Sequence, residues 1–291
     1  MFGGDDSPVI PNVLHQLRMS RWRESRKRWH RASPDRNYGE EDVPPSTIEV
    51  VSWNVSVGMG RHQSLVWSCC RRWRCSMEWT LSSTTSGFAS TFWLRRQDTS
   101  KWPDSARYGN VTLVEKSIPV QDAHILEFGL SSMQRTGVIV DLRLGAPDPH
   151  EYDVILRVVN THLESLPAGD QVRPQQLQLL SKFLKGPGVR GGLIAGDMNP
   201  IGAQDAGAPA ALGLRDAWRK GDNDKSGFTW GEQPECEYPA ARFDKILYLP
   251  RRGYRVDEPR RIGFGLKMSN ERGSLWCSDH AGLWTKVHVL R

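Results

Sequence analysis

The sequence is poor in cysteine and has no long hydrophobic run, and both absences limit what the chain can be. Its 291 residues include five cysteines, of which Cys69, Cys70 and Cys75 are crowded together while Cys236 and Cys277 stand alone. This is neither an evenly spread disulfide framework nor the Cys/His spacing of a zinc site, so we expect a reducing compartment. No apolar run approaches the roughly 18 residues that a membrane helix needs, and we expect no membrane partner.

The beginning of the chain lacks a targeting signal, and the overall charge is positive. "MFGGDDSPVI" contains two aspartates and no basic segment followed by an apolar one, so we expect an intracellular protein, nuclear or cytoplasmic and not secreted. Hydrophobic and charged contents of 38% and 25% are ordinary for a globular protein. The net charge of +6 favours an anionic partner, nucleic acid first.

Residues 1–46 differ in composition from the rest of the chain. They show little apolar periodicity and end in the charged, proline-containing "EEDVPPS". Within them, Arg18 to Arg31 holds seven Arg or Lys residues against one Glu, interleaved with Trp22 and Trp29. We predict a disordered basic arm and linker. The alternative is an arm that follows a phosphate backbone while its tryptophans stack on bases.

From Ile48 onward, short apolar runs alternate with few helical patterns. The segment Arg173–Lys185 places Leu177, Leu180 and Leu184 at three- and four-residue spacings, which predicts an amphipathic helix. Many strands with few helices predict an α/β sandwich that extends over residues 47–291. The predicted strands are "IEVVSW", "VTLVEKSI", "GVIVDLRL", "DVILRVVNTH", "GGLIAGDMN", "DKILYL" and "GLWTKVHVL".

Polar residues stand at the ends of several of these strands. Asn54 follows "IEVVSW", and His162 ends "DVILRVVNTH", where a hydrogen-bonded strand-end histidine is the plainer interpretation. Asp197 and Asn199 follow a buried run, and residues two apart in an extended segment project to the same side. An Asx turn is the alternative for this pair. Taken together, these positions indicate one site that collects polar groups from several strands.

Two further segments add acid–base chemistry. Asp244 begins "DKILYL", where a solvated strand-edge charge is the alternative, and Asp279 directly precedes His280. A buried Asp that orients a His recurs in catalytic sites. Asp279, Asp197 and Asn54 offer the hard oxygen ligands that Mg²⁺ accepts. The combination indicates metal-assisted hydrolysis of a phosphate ester.

The motifs "SWN", "NTHLES", "GDMN", "RFDKI" and "SDHAGL", in this order, resemble those of the endonuclease/exonuclease/phosphatase superfamily of Mg²⁺-dependent phosphodiesterases. "RYGNVTLV", "LGLRDAW" and "FTWGEQ" add a resemblance to the 5′-tyrosyl-DNA phosphodiesterases, which act in DNA repair. The resemblance implies a four-layer α/β sandwich, in which helices flank two central, mostly antiparallel sheets. It also implies Mg²⁺, or Mn²⁺ in its place, and a monomer that acts on a DNA 5′ end carrying a tyrosine or peptide.

The same resemblance implies roles for individual residues. Asn54 and Asn199 would orient the phosphate and the attacking water, and Asp197 would act in proton transfer. His162 would stabilise charge on the phosphoryl group, and His280, oriented by Asp244, would contact the phosphate or serve as acid or base. Asn54 and Asp279 would bind the metal. Tyr108, Trp230 and Phe243 would form an aromatic wall for a DNA strand. Core packing is the alternative for Trp230 and Phe243.

The stretch 61–92 departs from the superfamily. An amphipathic helix and a strand ending in a metal-binding Glu are expected there, but the segment concentrates Trp, Cys and Ser instead and contains Glu78 alone among acids. We interpret about thirty residues as read from a wrong frame or across a misjudged exon boundary. If they are genuine, Mg²⁺ binding and activity would be low. The alternatives to adduct removal are another phosphatase or apurinic-site nuclease, and a catalytically dead nucleic-acid binder.

Overall fold

The computed structural model describes residues 11–17, 19–26, 28–33, 43–54, 88–93, 110–115, 117–145, 153–270 and 273–290. These residues are rich in strand and poor in helix. The helices are α1 (Arg173–Phe183) and α2 (Ala208–Ala211), with short 3₁₀ turns at Glu24–Arg26, Pro167–Gly169 and Lys225–Gly227. The strands are β1 (Leu14–Gln16), β2 (Met19–Arg23), β3 (Arg28–Ala32), β4 (Thr47–Ser52), β5 (Phe88–Trp93), β6 (Val111–Glu115), β7 (Val120–Glu127), β8 (Thr136–Leu144), β9 (Val154–His162), β10 (Gly191–Asp197), β11 (Arg215–Asp216), β12 (Asp244–Tyr248), β13 (Tyr254–Val256), β14 (Arg260–Ile262), β15 (Lys267–Asn270), β16 (Gly273–Trp276) and β17 (Gly282–Val289).

The largest sheet has seven strands in the order β1-β7-β8-β9-β10-β12-β11. All its neighbours are antiparallel except β9 and β10, which are parallel. The register places Asp197 opposite His162 on one side and opposite Asp244 on the other. Three of the predicted site residues therefore stand side by side at one edge of this sheet.

A second sheet brings two further site residues to an edge of its own. It has the order β13-β17-β14, and β4 also pairs with β17. Ser52, the last residue of β4, is opposite Leu283 near the start of β17. Asn54 comes two residues after β4 and His280 two residues before β17, so the pairing of these strands brings the two residues together.

Among the described residues, the hydrophobic core has two parts. One joins the faces of the two sheets, with Leu193 and Ile246 on the first and Leu283 and Val287 on the second. The other packs the opposite face of the large sheet against α1, with Ile194 among its residues. Every residue of β10 is buried, which explains why its sequence is a continuous apolar run without alternation. Leu177, Leu180 and Leu184 are buried as their spacing predicts, and neither described α-helix is long and apolar enough to cross a membrane.

The two central sheets of the predicted sandwich are confirmed, and the described residues are poorer in helix than the four-layer prediction. All seven predicted strands are present, as is the helix that begins at Arg173. A further four-stranded sheet, β3-β2-β5-β6, contains the predicted strand β6, but its strands β2, β3 and β5 and the hairpin of β15 and β16 were not expected from the sequence. Their residues lack the apolar runs that announce a buried strand.

The prediction of a disordered N-terminal arm is wrong for the described residues between 11 and 33. β1 pairs with β7 at the edge of the large sheet, and β2 pairs with β3 and β5. Leu17 and Met19, which are 6% and 1% exposed, join the core between the sheets. Backbone pairing needs no apolar side chain, so two well-placed residues are enough to hold these basic strands against the domain.

Part of the anomalous stretch 61–92 also forms regular structure. β5 begins at Phe88 and lies between β2 and β6 in the second four-stranded sheet. The stretch therefore forms a strand at its C-terminal end, but "FASTFW" does not end in the glutamate that the resemblance implies. Residues 55–87, which include Glu78, lie outside the described part of the chain.

Candidate active site

Asp197 lies at the centre of a cluster of polar side chains at the shared edge of the two sheets. Its Oδ2 is 2.9 Å from Asn54 Nδ2 and 3.3 Å from His162 Nε2, and its Oδ1 accepts the Asn199 backbone N–H at 2.9 Å. The carboxylate is 3% exposed. A buried carboxylate with this many partners has a fixed orientation.

The close approach of β9 and β10 brings His162 beside Asp197. Gly196 immediately precedes Asp197 and has a φ of 145°, and a Cβ at this position would lie 1.8 Å from the Thr161 carbonyl oxygen. Only glycine is compatible with both the conformation and the contact. Gly196, the third glycine in "GGLIAGDMN", is therefore a structural requirement of the site.

His280 and Asp244 form a buried pair. Asp244 Oδ2 is 2.7 Å from His280 Nδ1, and Asp244 is fully buried, so the alternative of a solvated strand-edge charge is wrong. The backbone N–H groups of Phe243 and Asp244 both donate to Thr229 Oγ1, which anchors the start of β12. On its other side, His280 Nε2 is 3.7 Å from Asp197 Oδ2, so the ring lies between two carboxylates.

The backbone of His280 is tied to the end of β4. Its N–H donates to Ser278 Oγ, and the Ser278 hydroxyl donates to the Asn54 carbonyl. Its carbonyl accepts from Trp53 Nε1 and from Gln233 Nε2, each at 2.9 Å. Thr229 and Gln233 lie in the motif "FTWGEQ", but the sequence predicted a role for Trp230 alone, because the partners of the other two are far away in the chain. Ser278, in "CSDH", could have been noticed as the polar residue that opens the turn.

The two histidines differ in charge at neutral pH. Burial would lower the pKa of His280, but Asp244 and Asp197 beside it outweigh burial and raise its pKa to about 9. Burial lowers the pKa of His162 to about 4, although the neighbouring Asp197 opposes this shift, and the positive charges of Arg135 and His280 add to it. At pH 7 the site therefore holds a cationic imidazolium and a neutral imidazole.

Asn199 turns the chain after β10 and joins it to the loop after β9. Its φ is 46°, and its backbone N–H donates to Asp197, so the Asx turn is present and the contact of Asn199 with Asp197 is made by its backbone. Its Nδ2 donates to the Leu163 carbonyl and to Ser165 Oγ, each at 3.2 Å. Arg135 Nη2 donates to the same hydroxyl at 2.6 Å, which brings a cation to this end of the site.

The structure places both predicted metal ligands near this cluster without completing a metal site. Asn54 donates to Asp197, and the half-buried Asp279 directly precedes His280 in the chain. Their oxygens suit Mg²⁺ in type. Within the described ranges, however, no group of three His, Cys, Asp or Glu residues is arranged to hold a metal ion. The described residues alone therefore do not complete a Mg²⁺ site, and the chemistry below rests on the chain's own proton donors and acceptors.

Two of the three predicted aromatic residues lie beside His280. Trp230 and Phe243 stack with ring centroids 4.8 Å apart and an interplanar angle of 5°, and the Phe243 ring centroid is 6.4 Å from that of His280. Phe243 is 8% exposed and belongs to the packing, whereas Trp230 is half-buried and Tyr238, 6.3 Å from it, is exposed. Tyr108 lies outside the described residues.

Comparison with known proteins identifies the fold through structure alone. The sequence matches no protein-family model and no curated protein. Among solved structures, a humanized D. rerio TDP2 carrying 14 mutations matches with a TM-score of 0.56 at 20% identity, over 84% of this chain and 100% of that one. TDP2 from Caenorhabditis elegans matches with a TM-score of 0.57 at 17% identity, over 87% of this chain and 77% of that one.

A third match is D. rerio TDP2 complexed with a single-strand DNA product, with a TM-score of 0.54 at 17% identity, over 84% of this chain and 100% of that one. Likeness at this level of identity concerns the course of the backbone. The resemblance predicted from the motifs is thus confirmed at the level of the fold, and this chain has the fold of the TDP2 structures.

Proposed function

We propose that the protein is a metal-dependent phosphodiesterase that removes a tyrosine or peptide adduct from DNA 5′ ends in repair. The observation that carries this proposal is the meeting of five side chains from five separate segments, with contacts between 2.7 and 3.7 Å. These are Asn54, His162, Asp197, Asp244 and His280. Packing of a hydrophobic core does not require so many polar groups at one edge, whereas phosphoester hydrolysis needs a base, an acid and hydrogen-bond donors.

Asp197 is the group that takes a proton from the attacking water. Its carboxylate is held by Asn54 and by the backbone of Asn199, so the acceptor oxygen is oriented before substrate binds. Such preorganisation is an effective way to lower an activation barrier, because no rearrangement is needed during the reaction.

His280 is the cationic donor of the site. With Asp244 holding Nδ1, its Nε2–H faces the end of the site where Asp197 and Asn54 lie. It donates to a phosphoryl oxygen and offsets negative charge that develops there. His162, neutral at pH 7, acts as a hydrogen-bond donor or acceptor on the other side of Asp197.

DNA as the substrate is supported by three observations. The chain carries a net charge of +6, which favours binding to a phosphate backbone. The half-buried Trp230, stacked on Phe243, offers an aromatic surface beside His280 for base stacking. A D. rerio TDP2 of the same fold was solved with a single-strand DNA product.

Release of tyrosine from a 5′-tyrosyl oligonucleotide tests the proposal. We expect turnover with MgCl₂ or MnCl₂, none with EDTA, and a loss of at least about 100-fold in kcat for Asp197→Asn, because the acceptor is removed while the shape is kept. Asp257→Asn, which changes a carboxylate paired with His288 and Arg255 away from the cluster, is the matched control. Equal rates for the wild type and Asp197→Asn would contradict the role of Asp197.

The same purified protein separates the alternatives when other substrates are offered. Hydrolysis of phosphomonoesters would indicate a phosphatase. Cleavage of duplexes that contain an apurinic site would indicate a nuclease. Salt-dependent DNA binding without turnover at any Mg²⁺ concentration would identify a nucleic-acid binder and would contradict the proposed hydrolysis.

A further inference from the structure

Glu164 is a buried carboxylate that the proposed chemistry does not use. It follows His162 by two residues and is 3% exposed. Its Oε1 accepts the backbone N–H groups of Ser132 and Met133, each at 3.0 Å, and the Ser132 hydroxyl at 2.6 Å. Its Oε2 accepts the Ser131 hydroxyl at 2.5 Å and Gln176 Nε2 at 3.4 Å.

The donors around Glu164 are those that an ionised carboxylate requires. Burial would raise the pKa of Glu164, but the hydrogen bonds from Ser131, Ser132 and Met133 outweigh burial and hold its pKa below the ordinary value. The charge is therefore kept inside the protein by five hydrogen bonds. Such an arrangement fixes whatever the donors belong to, which here is the turn between β7 and β8.

This turn leads directly to a cation at the site. The Ser131 hydroxyl, which donates to Glu164, accepts the backbone N–H of Arg135 at 2.7 Å. Arg135 is 8% exposed. Its guanidinium donates to Ser165 Oγ, the hydroxyl that also accepts from Asn199. The positive charge of Arg135 contributes to the lowered pKa of His162.

We propose that Glu164 is a positioning residue of the active site. Through Ser131 it fixes the main chain of Arg135 and so keeps the guanidinium on Ser165, three residues after His162. The alternative is that Glu164 only closes the turn and stabilises the fold. The effect on turnover rests on the proposed function, but the placement of Arg135 can be measured without any activity.

Histidine NMR titration of His162 in the metal-free protein measures this placement, with the signal assigned by comparison with His162→Gln. The charged groups that act on His162 are Asp197, Arg135, His280 and Asp279. Loss of the Glu164 charge alone would lower the pKa of His162, because a negative charge favours the imidazolium. Displacement of Arg135 would raise it. The direction of the shift therefore distinguishes a positioning role from a direct electrostatic effect.

Three variants and one control make the comparison sharp. Glu164→Gln removes the charge, and Ser131→Ala breaks the link to Arg135 while the carboxylate stays. Ser132→Ala removes one donor to Glu164 and leaves that link intact. Asp141→Asn breaks another buried ion pair, with Arg157 on β9, and controls for a general loss of stability.

We expect Glu164→Gln and Ser131→Ala to raise the pKa of His162 by about 0.5 or more, and Ser132→Ala and Asp141→Asn to leave it within about 0.2 of wild type. Where the wild type hydrolyses tyrosyl-DNA, the first two variants should also lose about 10-fold or more in kcat/KM. An unchanged or lowered pKa of His162 in Ser131→Ala would overturn the proposal. If Glu164→Gln fails to fold, the pKa of His162 in Ser131→Ala alone tests the positioning role. A wild type without turnover would refute the proposed function but not the positioning of Arg135.

Discussion

At the scale of single residues, the site depends on carboxylates that lie out of contact with solvent. Asp197, Asp244 and Glu164 are 3%, 0% and 3% exposed. Sequence alone singled out Asp197 and Asp244, because the first ends an apolar strand and the second begins one. It did not reveal a role for Glu164, since its partners Ser131 and Ser132 lie more than thirty residues earlier in a polar turn with no periodic pattern.

Replacement of Asp244 by Asn should reduce the proposed hydrolysis by about 100-fold or more, because the imidazolium of His280 loses the buried charge that stabilises it. The measurement is kcat on the tyrosyl oligonucleotide, with circular dichroism to confirm that the variant is folded. Asp257→Asn, which removes a carboxylate from His288, should keep the wild-type rate. Wild-type activity in Asp244→Asn would contradict the pair's role.

Glu164 should also make stability depend on pH in acid. Its folded-state pKa is lower than the ordinary value of 4.5, so its contribution is fully present above about pH 4.5 and is lost as the pH falls through the folded-state pKa. We expect the free energy of unfolding of the wild type to fall more steeply below pH 4.5 than that of Glu164→Gln. Urea unfolding at several pH values measures this, and parallel curves would contradict it.

At the scale of secondary-structure elements, register decides which side chains meet. The continuous apolar runs announced the buried strands β8, β9, β10 and β12, and the ends of β9, β10 and β12 carry His162, Asp197 and Asp244. The strand β7 was missed because "VQDAHILE" mixes polar with apolar residues, and β11 because two residues form no pattern. The parallel pairing of β9 and β10 is a property of topology that local sequence does not encode.

Gly196→Ala should destabilise the protein by about 2 kcal/mol or more. The added Cβ meets the Thr161 carbonyl oxygen at 1.8 Å, and φ is unfavourable for a side chain. Gly188→Ala is the matched control, since φ there is 72° but nothing lies within 4 Å of the new Cβ. We expect a cost of about 1 kcal/mol for the control in urea unfolding. Equal costs would show that the contact between β9 and β10 is not tight.

At the scale of the whole molecule, the described N-terminal residues belong to the domain. Composition predicted a solvated arm because basic residues dominate there, and it was wrong because strand pairing uses the backbone. The fold as a whole was accessible from the order of five motifs, and the match to TDP2 structures over 84 to 87% of the chain agrees with it.

Met19→Ala should therefore lower stability by about 2 kcal/mol or more, as expected for a large side chain that is 1% exposed in the core. Val13→Ala, at a position that is 45% exposed on the same segment, should change it by less than about 0.5 kcal/mol. Thermal or urea unfolding compares the two. Equal stability of Met19→Ala and the wild type would contradict the inclusion of this segment in the core.

The register His162–Asp197–Asp244 across three adjacent strands has a consequence for how this protein tolerates change in length. Side chains in a strand alternate between faces, so one residue inserted into β10 would turn Asp197 away from His162 and Asp244 at once. Insertions in the loops before these strands would leave the alignment intact. The number of residues in each strand is thus as much a determinant of the site as their identity, and related chains should vary in loop length while keeping these strands the same.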